Sequence, residues 1–296
     1  MDFFLQQTAN GLALASVLAL FALGFSLVLA NLKIFHVAHE GIFGWGAVFA
    51  WLLMERLNLP FFLAALGSII GAGLLNVAAY LLLIKRLEGR TNAELAGFIS
   101  SLGGLIVLTE AAEVVLDRST HRLPFDAFPI HVWMISGIRV SSIQAAMVIS
   151  TIIAFIFLHW LVERTEVGRE MKTVAYDREL AGLLGINAQR ISALVFFISG
   201  AFGGLAAVLV AVAFNVIDSQ LGQAYLVIAI AVTVIGGFGS IKGAVVGAVM
   251  VGLASSYTTS YWTSSFRDVV VFGLLMLFLM VRPTGLFRVP DAVGRA

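Results

Sequence analysis

A succession of long apolar runs, separated by short polar segments, constrains this chain more than any other feature of its sequence. A helix that crosses the hydrocarbon core of a bilayer needs about 20 mostly apolar residues, with a usual range of about 17–25. Three of the runs, 41–53, 224–235 and 243–256, are shorter than this, and we expect them to be tilted, extended by polar neighbours or partly re-entrant. The pattern predicts an all-α, polytopic membrane protein with about eight or nine transmembrane helices. The candidate spans are residues 11–30, 41–53, 61–84, 95–116, 143–162, 191–213, 224–235, 243–256 and 269–281.

The composition agrees with a protein that is embedded in a lipid bilayer. Apolar residues make up 60% of the chain and charged residues 12%, whereas soluble domains carry about 45–50% and about 25%. So few charges do not cover a water-exposed surface. Small residues four apart, such as Gly200 and Gly204, predict places where helix backbones pack closely. No linker or low-complexity segment divides the chain, so residues 1–296 are expected to form a single transmembrane domain.

Charge and cysteine content exclude some classes of function. The net charge of +1 gives no reason to expect a nucleic-acid partner. Because cysteine is absent, disulfides and Cys-ligated metals are excluded. The pair His36 and His39 with Glu40 superficially suggests a metal site, but the spacing is not that of the helical H-E-x-x-H motif, so no metal site is expected.

Lysine and arginine in short loops predict the orientation of the spans, because such loops lie on the cytoplasmic side. An even number of predicted spans separates each basic segment from the next, so all of them can be cytoplasmic together. Nine spans then place the N-terminus outside, and eight place it inside. The basic segments are residues 85–90, residues 164–190, Lys242, and a tail that carries Arg282, Arg288 and Arg295.

The longest polar interruption, residues 163–190, has the pattern of a short amphipathic helix. Its apolar residues recur at helical spacing and charges of both signs fill the other face, while Gly185 and Asn187 end the pattern. One interpretation is an ordinary cytoplasmic loop. The other is a docking helix whose apolar edge fits a groove on a soluble partner. The apolar positions are Met171, Val174, Ala175, Leu180, Leu183 and Leu184.

Four segments resemble the permeases of branched-chain amino acid ABC importers. The run from Glu179 to Gly185 approximates the E-A-A-x-x-x-G loop of ABC importer permeases. Residues 10–39 resemble that family's first span and the turn after it, and residues 235–244 resemble its Gly-Gly-x-Gly-Ser-x-x-Gly-Ala segment. Residues 266–286 resemble its last helix and Pro-Thr-Gly-Leu stop. The matches follow the family's order over nearly the whole chain, so they are specific jointly.

The resemblance implies a tightly packed importer permease fold in the bacterial inner membrane and transport by alternating access. It also implies a second related permease, two cytoplasmic ATPase subunits and an extracytoplasmic solute-binding protein as partners. ATP and Mg²⁺ would be bound by the ATPase subunits, and the chain has no G-x-x-x-x-G-K-[ST] motif of its own. No cofactor and no catalytic residue are therefore expected in this chain. By the same resemblance, the residues that couple it to the ATPase are Gly168, Asp177, Glu179, Ala181, Leu184, Gly185 and Asn187.

Ionisable residues between the first two spans mark a candidate translocation pathway, because such groups are costly inside a membrane. The resemblance places His36, His39 and Glu40 in the pathway region. The sequence departs from the family there, since His36 replaces an Asn and Glu40-Gly41 reverses a Gly-Glu order. Branched-chain amino acids, other amino acids, urea or amides, and small aromatic acids therefore remain open as solutes. The alternative is a cytoplasmic or interfacial turn whose His and Glu side chains cap helix ends.

Glu110 and Glu113 stand three residues apart near the outer end of their span, so they share one helix face. They are candidates for an outer entrance or a contact with the binding protein. The alternative is that both side chains extend to the membrane interface.

A secondary transporter or channel is the alternative function, since such proteins also use broken helices and buried polar residues. It needs no docking helix, and it usually shows paired intramembrane charges, of which this chain has few.

Overall fold

The computed structural model describes residues 2–89, 92–124, 127–135 and 137–287. Arg90, Arg288 and Arg295, which belong to the predicted basic segments, lie outside these ranges. A π-helical turn at Tyr80–Ile84 extends α3, and a 3₁₀ turn at Ser264–Phe266 precedes α11. The helices are α1 (Asp2–Leu32), α2 (His39–Glu55), α3 (Phe61–Ala79), α4 (Ala93–Val115), α5 (Ser142–Arg164), α6 (Glu166–Tyr176), α7 (Arg178–Leu183), α8 (Ala188–Phe214), α9 (Gln223–Gly236), α10 (Ile241–Tyr261) and α11 (Arg267–Val281).

Seven helical segments in the described part are long and apolar enough to cross a membrane, and α9 is a shorter apolar helix. The prediction of an all-α, polytopic membrane protein is confirmed. The count of eight or nine spans stays a prediction. The sequence did not predict a small antiparallel hairpin, β1 (Val132–Ile135) and β2 (Ile138–Ser141), in which Trp133 pairs with Val140.

Helices α1 and α8 form the centre of the bundle. Both are apolar on all sides and mostly buried, which is the pattern of a helix surrounded by other helices. In contrast, α3, α4, α5 and α11 expose apolar side chains to the outside, as helices facing lipid or another membrane subunit do. Examples are Leu82, Ile106, Ile153 and Met280, all more than 60% exposed.

Two helices begin inside the bundle rather than at its surface. The first residue of α2, His39, packs against Gly24 of α1, eight residues before α1 ends at Leu32. At about 1.5 Å per residue, α2 therefore starts about 12 Å inside the bundle. The segment 33–38 returns from the end of α1 to that depth. Of the three short spans, α2 is thus partly re-entrant, whereas α10 is extended by polar neighbours to 21 residues.

The start of α9 meets the start of α2. A Cβ atom on Gly222, the residue before α9, would lie 2.5 Å from the carbonyl oxygen of Glu40. Residues 215–221 bring the chain to this point from the end of α8. With 14 residues, α9 is about 21 Å long, shorter than a hydrocarbon core of about 30 Å. Two interrupted helices therefore present their N-termini to each other within the bundle.

The C-terminal segment closes the other end of α9. Leu286 N–H donates to the carbonyl of Ile235 at 2.9 Å, and Phe287 N–H donates to that of Gly236 at 3.0 Å. These bonds satisfy carbonyls that a helix end leaves unpaired. Gly237 follows with φ +105°, a conformation that favours glycine.

The contacts place the described basic segments at one end of the bundle. Arg178 of α7 reaches Glu88 in the segment after α3, and Lys172 of α6 lines one groove together with Lys242 and Phe287 of the tail. At the opposite end, Gln6 of α1 exchanges hydrogen bonds with the backbone of Arg139 in β2. This grouping agrees with the orientation predicted from the loops.

Candidate functional site

His36 lies fully buried between α3 and α8, although it belongs to a connecting segment. Its Nε2 atom is 2.9 Å from the Oδ1 atom of Asn76 in α3. The amide nitrogen of Asn76 donates to the carbonyl of Phe196 in α8 at 2.8 Å. One polar side chain of α3 therefore links the segment 33–38 to the central helix.

His39 is also fully buried and bonds to α8. Its Nδ1 atom is 3.3 Å from the hydroxyl of Ser199, and its ring meets the ring of Phe21 edge-on at 4.7 Å. Gly24 and Gly203 make room for the ring, because a Cβ atom on either would lie within about 3.1 Å of it. No side chain caps the N-terminus of α2, so the alternative interpretation, in which His or Glu caps this helix, does not describe the structure.

Glu40 differs from the two histidines because it is only half-buried. Its side chain lies beside Gly222, where α9 begins. Phe43 of α2 packs on Tyr225 of α9, with ring centroids 5.2 Å apart. The carboxylate therefore stands at the meeting of two helix N-termini, which carry partial positive charge.

The surface of α9 next to this meeting point is open. Gln223, Ala224 and Val227 are exposed although they lie at the depth of buried helices. A solute or another membrane subunit can therefore reach this face of α9. His36, His39 and Glu40 are close together, as predicted, and of the three Glu40 alone is partly exposed. Their roles in a pathway stay a prediction.

The predicted docking segment folds as two helices instead of one. Asp177 has an extended backbone (φ −154°), and its Oδ1 atom accepts from the N–H groups of Glu179 and Leu180 at 2.8 and 3.0 Å. This cap starts α7 and ends α6 at Tyr176. The prediction of a single amphipathic helix within residues 163–190 was therefore wrong at this position.

The two helices also differ in where their apolar residues lie. Met171 and Val174 of α6 are 3% and 1% exposed and pack into the protein, so the prediction that they form part of an exposed edge was wrong. Leu183 and Leu184, in contrast, are 86% and 64% exposed. Leu180, earlier in α7, is 41% exposed. The exposed apolar edge is therefore formed by α7 and the residue after it.

The remaining predicted coupling residues shape this segment. Gly168 is buried where α6 leaves α5, and Ala181 is the buried residue of α7. Gly185 ends α7 with φ +80°, as a glycine at a helix C-terminus does. Asn187 caps α8 by accepting from Arg190 N–H at 3.1 Å. The structure brings these residues together around α7, and their part in coupling stays a prediction.

An ion pair connects α7 to the interior. The Nη1 atom of Arg178 lies 2.9 Å from Glu88 Oε1, and Nη2 donates to the hydroxyl of Ser192 in α8 at 2.9 Å. Ser192 and Phe196 are one turn apart on α8, and Phe196 packs on the buried Tyr80 of the π-helical turn at 4.9 Å. Short π-helical turns are frequent at functional sites.

Glu110 and Glu113 have different surroundings. Glu110 is exposed, whereas Glu113 is half-buried and accepts from the hydroxyl of Ser219 at 3.1 Å. Glu113, together with Arg118 and Asp218, lines a small cavity of about 120 Å³ at the end opposite to α7. A role for either glutamate at an outer entrance stays a prediction.

Sequence reasoning missed Asn76 and the pair Arg178–Glu88. A single Asn inside the apolar run 61–84 was the available signal, because polar residues within spans usually have a partner. Opposite charges in two predicted cytoplasmic segments were the signal for the ion pair, but nothing in the sequence selects these two among many.

Comparison with known proteins gives a match over most of the chain. Residues 7–280 match the family described as "Branched-chain amino acid transport system / permease component". The chain is 31% identical over 302 residues to the high-affinity branched-chain amino acid transport system permease protein LivH of Salmonella typhimurium, covering 98% of this chain and 97% of LivH. It is 29% identical over 297 residues to the corresponding permease protein BraD of Pseudomonas aeruginosa, covering 97% of each.

Solved structures give weaker likenesses. The chain shares 17% identity with PsaBC from Streptococcus pneumoniae in complex with Fab, with a TM-score of 0.45 over 95% of this chain and 92% of that one. It shares 15% identity with an inward-facing ABC transporter of the metal-chelate type, with a TM-score of 0.49 over 94% and 85%. Because both TM-scores are below 0.5, neither likeness bears on function.

Proposed function

This chain belongs to the family of branched-chain amino acid transport system permease components, and on that basis we propose that it is one membrane-spanning subunit of an ATP-driven importer. As a permease component it is a multi-pass membrane protein without catalytic residues. Its complex would lie in a bacterial inner membrane and carry amino acids into the cell, with branched-chain amino acids first among the candidates. Other amino acids, amides and small aromatic acids are the remaining candidates.

The observation that carries the proposal is the meeting of α2 and α9 at Glu40. Transporters form solute sites from interrupted helices near the middle of the bilayer. The helix termini there offer partial charges and backbone groups to the solute, so no deeply buried ion is required. The side chain of Glu40 stands at this place beside Gly222. Its carboxylate would bind the ammonium group that all amino acids share, and the exposed apolar residues Ala224 and Val227 of α9 would face an aliphatic side chain.

The pathway would be completed by another subunit. The face of α9 next to Glu40 is open on this protomer, which supports a pathway between two membrane subunits rather than within one. We propose that the second subunit is a related permease. An extracytoplasmic binding protein would deliver the solute to the end of the bundle that carries Glu113 and the β1–β2 hairpin.

The docking surface for the ATPase would be the end of α7. Leu183 and Leu184 form an exposed apolar edge beside charged neighbours, as expected of a helix that fits a groove on a soluble partner. The partners would be two ATPase subunits that bind ATP and Mg²⁺. Arg178 would transmit their movement to Glu88 and Ser192, and through α8 to the segment that carries His36 and His39.

The solute site is tested with Glu40→Gln in the purified complex, reconstituted with its binding protein. Loss of a charge-assisted hydrogen bond of about 1.5–3 kcal/mol predicts at least a roughly tenfold rise in the KM for uptake. Glu55→Gln is the matched control, because Glu55 lies at the exposed far end of α2. Uptake that is equally affected in both variants, or in neither, would contradict the role of Glu40.

The partner set is tested by purifying the tagged chain from its native membrane in mild detergent and identifying what co-purifies. Stoichiometric recovery of an ATPase and a second permease is expected. Leu183→Glu should reduce ATPase recovery strongly, because it places a charge on the apolar edge. Leu57→Glu is the control at an exposed leucine of the opposite end. A stable homo-oligomer without any ATPase would overturn the importer function and favour a secondary transporter or channel.

A further inference from the structure

A groove of about 480 Å³ opens at the basic end of the bundle, between the end of α1, the end of α5, α6 and the start of α10. This volume is within the usual range for small-molecule sites, about 300–1,000 Å³. The groove is separate from the meeting of α2 and α9 and from the exposed edge of α7. None of the functions proposed above uses it.

The charges that face the groove are mainly positive. Lys33, Lys172 and Lys242 line it, and Glu163 is the carboxylate among the described lining residues. Glu163 forms an ion pair with Lys172, in which Lys172 Nζ lies 2.7 Å from Glu163 Oε2. Lys33 and Lys242 are exposed, and neither forms an ion pair within the part of the chain that the structure describes. His159 and Tyr176 are the other titratable groups that face the groove.

The N-terminus of α10 adds to this arrangement, whereas the C-terminus of α1 carries partial negative charge, which Lys33 offsets. Lys33 directly follows α1, and Lys242 lies in the first turn of α10. Ser240 caps α10 by accepting from the N–H of Gly243 at 3.0 Å, which leaves other N–H groups of the first turn free of intrahelical partners. A helix N-terminus and two lysines together favour an anion, above all a phosphate group.

The groove is continuous with an apolar surface. On α5, Ile152 and Ile156 are 52% and 59% exposed, and His159 and Glu163 continue the same stripe into the groove. These four residues are spaced by four, three and four positions, so they lie on one face of the helix. The apolar part of the stripe lies within the span and the polar part lies at its basic end, which matches the division of a phospholipid into acyl chain and headgroup.

We propose that this groove binds an anionic phospholipid of the leaflet on the basic side of the membrane. Its phosphate would be held by Lys33 and Lys242 at the start of α10, and an acyl chain would lie along Ile152 and Ile156. Basic pockets between transmembrane helices on the cytoplasmic side bind anionic headgroups in this way. Since α6 forms one wall through Met171, Lys172 and Ala175, a bound lipid would also support the docking segment against α1 and α5.

The test uses the intact complex in nanodiscs of phosphatidylcholine with and without phosphatidylglycerol, and native mass spectrometry to count retained phosphatidylglycerol. The double variant Lys33→Gln/Lys242→Gln should weaken retention roughly 25-fold, because each lysine near a membrane surface contributes about fivefold to the affinity. The control is Lys85→Gln/Arg86→Gln, which removes the same charge at the same end but outside the groove. Retention in the control should equal that of the unchanged protein.

Two outcomes would overturn the proposal. The first is equal retention of phosphatidylglycerol in the double variant and the control. The second is lysine-dependent binding of inorganic phosphate that displaces phosphatidylglycerol, which would make the groove a site for a soluble anion. Because lipid retention is read without transport, failure of this proposal is distinguishable from failure of the importer function.

Discussion

Gly200 of α8 lies where α8 packs closely against α3, and its replacement by alanine should destabilise the bundle. A Cβ atom there would lie 2.5 Å from the carbonyl oxygen of Ala72, 2.6 Å from Asn76 Cβ and 3.0 Å from Gly73 Cα. Ordinary contact begins at 3.4 Å, so α3 and α8 would have to separate by about 0.9 Å at this level. Neither backbone atom is able to rotate away.

The size of the effect follows from two opposing contributions. Overpacking of this kind costs about 1–3 kcal/mol, and the higher helix propensity of alanine returns up to about 1 kcal/mol. Because two of the three close atoms belong to the backbone, the cost lies in the upper part of that range, about 2–3 kcal/mol. We therefore expect Gly200→Ala to lower the free energy of unfolding by about 1–2 kcal/mol. The separation would also move Asn76 away from Phe196 and weaken the bonds that hold His36.

The assay is denaturant unfolding of the purified chain in detergent micelles, followed by far-UV circular dichroism. Gly103→Ala in α4 is the matched control, because a Cβ atom on Gly103 would meet no atom within 4 Å. That variant should be as stable as the unchanged chain or slightly more stable. The packing argument is refuted if Gly200→Ala unfolds like the unchanged chain, or if Gly103→Ala is destabilised as much as Gly200→Ala.

Three further substitutions test other contacts. Arg178→Glu should lower ATP-driven uptake by proteoliposomes several-fold, and adding Glu88→Arg in the same chain should restore most of that uptake. The expected coupling energy is about 1 kcal/mol, because the ion pair is partly exposed. If Glu88→Arg does not restore uptake, the ion pair has no role in transport. Asn76→Leu should lower the free energy of unfolding by about 1–2 kcal/mol in the same assay, because it leaves His36 Nε2 without its partner. Unchanged stability would show that this bond contributes little. Gly237→Ala should destabilise the contact between the tail and α9 by about 1–3 kcal/mol, because φ is +105° and a Cβ atom would clash with the carbonyl of Phe287. The tail should then be cleaved faster by a protease, and an unchanged rate would count against the tail as a cap of α9.

Local signals in the sequence predicted helix ends around the docking segment. The cap residue Asn187 and the glycine at Gly185 lie where their residue types belong at helix ends. Asp177 shows the limit of such reasoning, because the apolar period continues through it while its side chain starts a new helix. The apolar period on both sides of Asp177 predicted one helix, because a single residue with an extended backbone does not interrupt that period.

The sequence by itself determined that this protein lies in a membrane and crosses it with several α-helices. Apolar runs of bilayer length leave no other stable structure, because every backbone N–H and C=O must be paired within the membrane. It also determined that the basic segments lie together. These properties depend on composition and on neighbours along the chain.

Only the tertiary structure decided where the short helices begin and which polar groups meet. Glu40 is next to Gly222, His36 bonds to Asn76, and Arg178 reaches Glu88. The members of each pair are far apart in the chain, and the helices between them are apolar on most sides. Since such helices have no polar face to set their rotation or depth, these are fixed by the close approach of small residues and by single hydrogen bonds, neither of which leaves a periodic signal in the sequence.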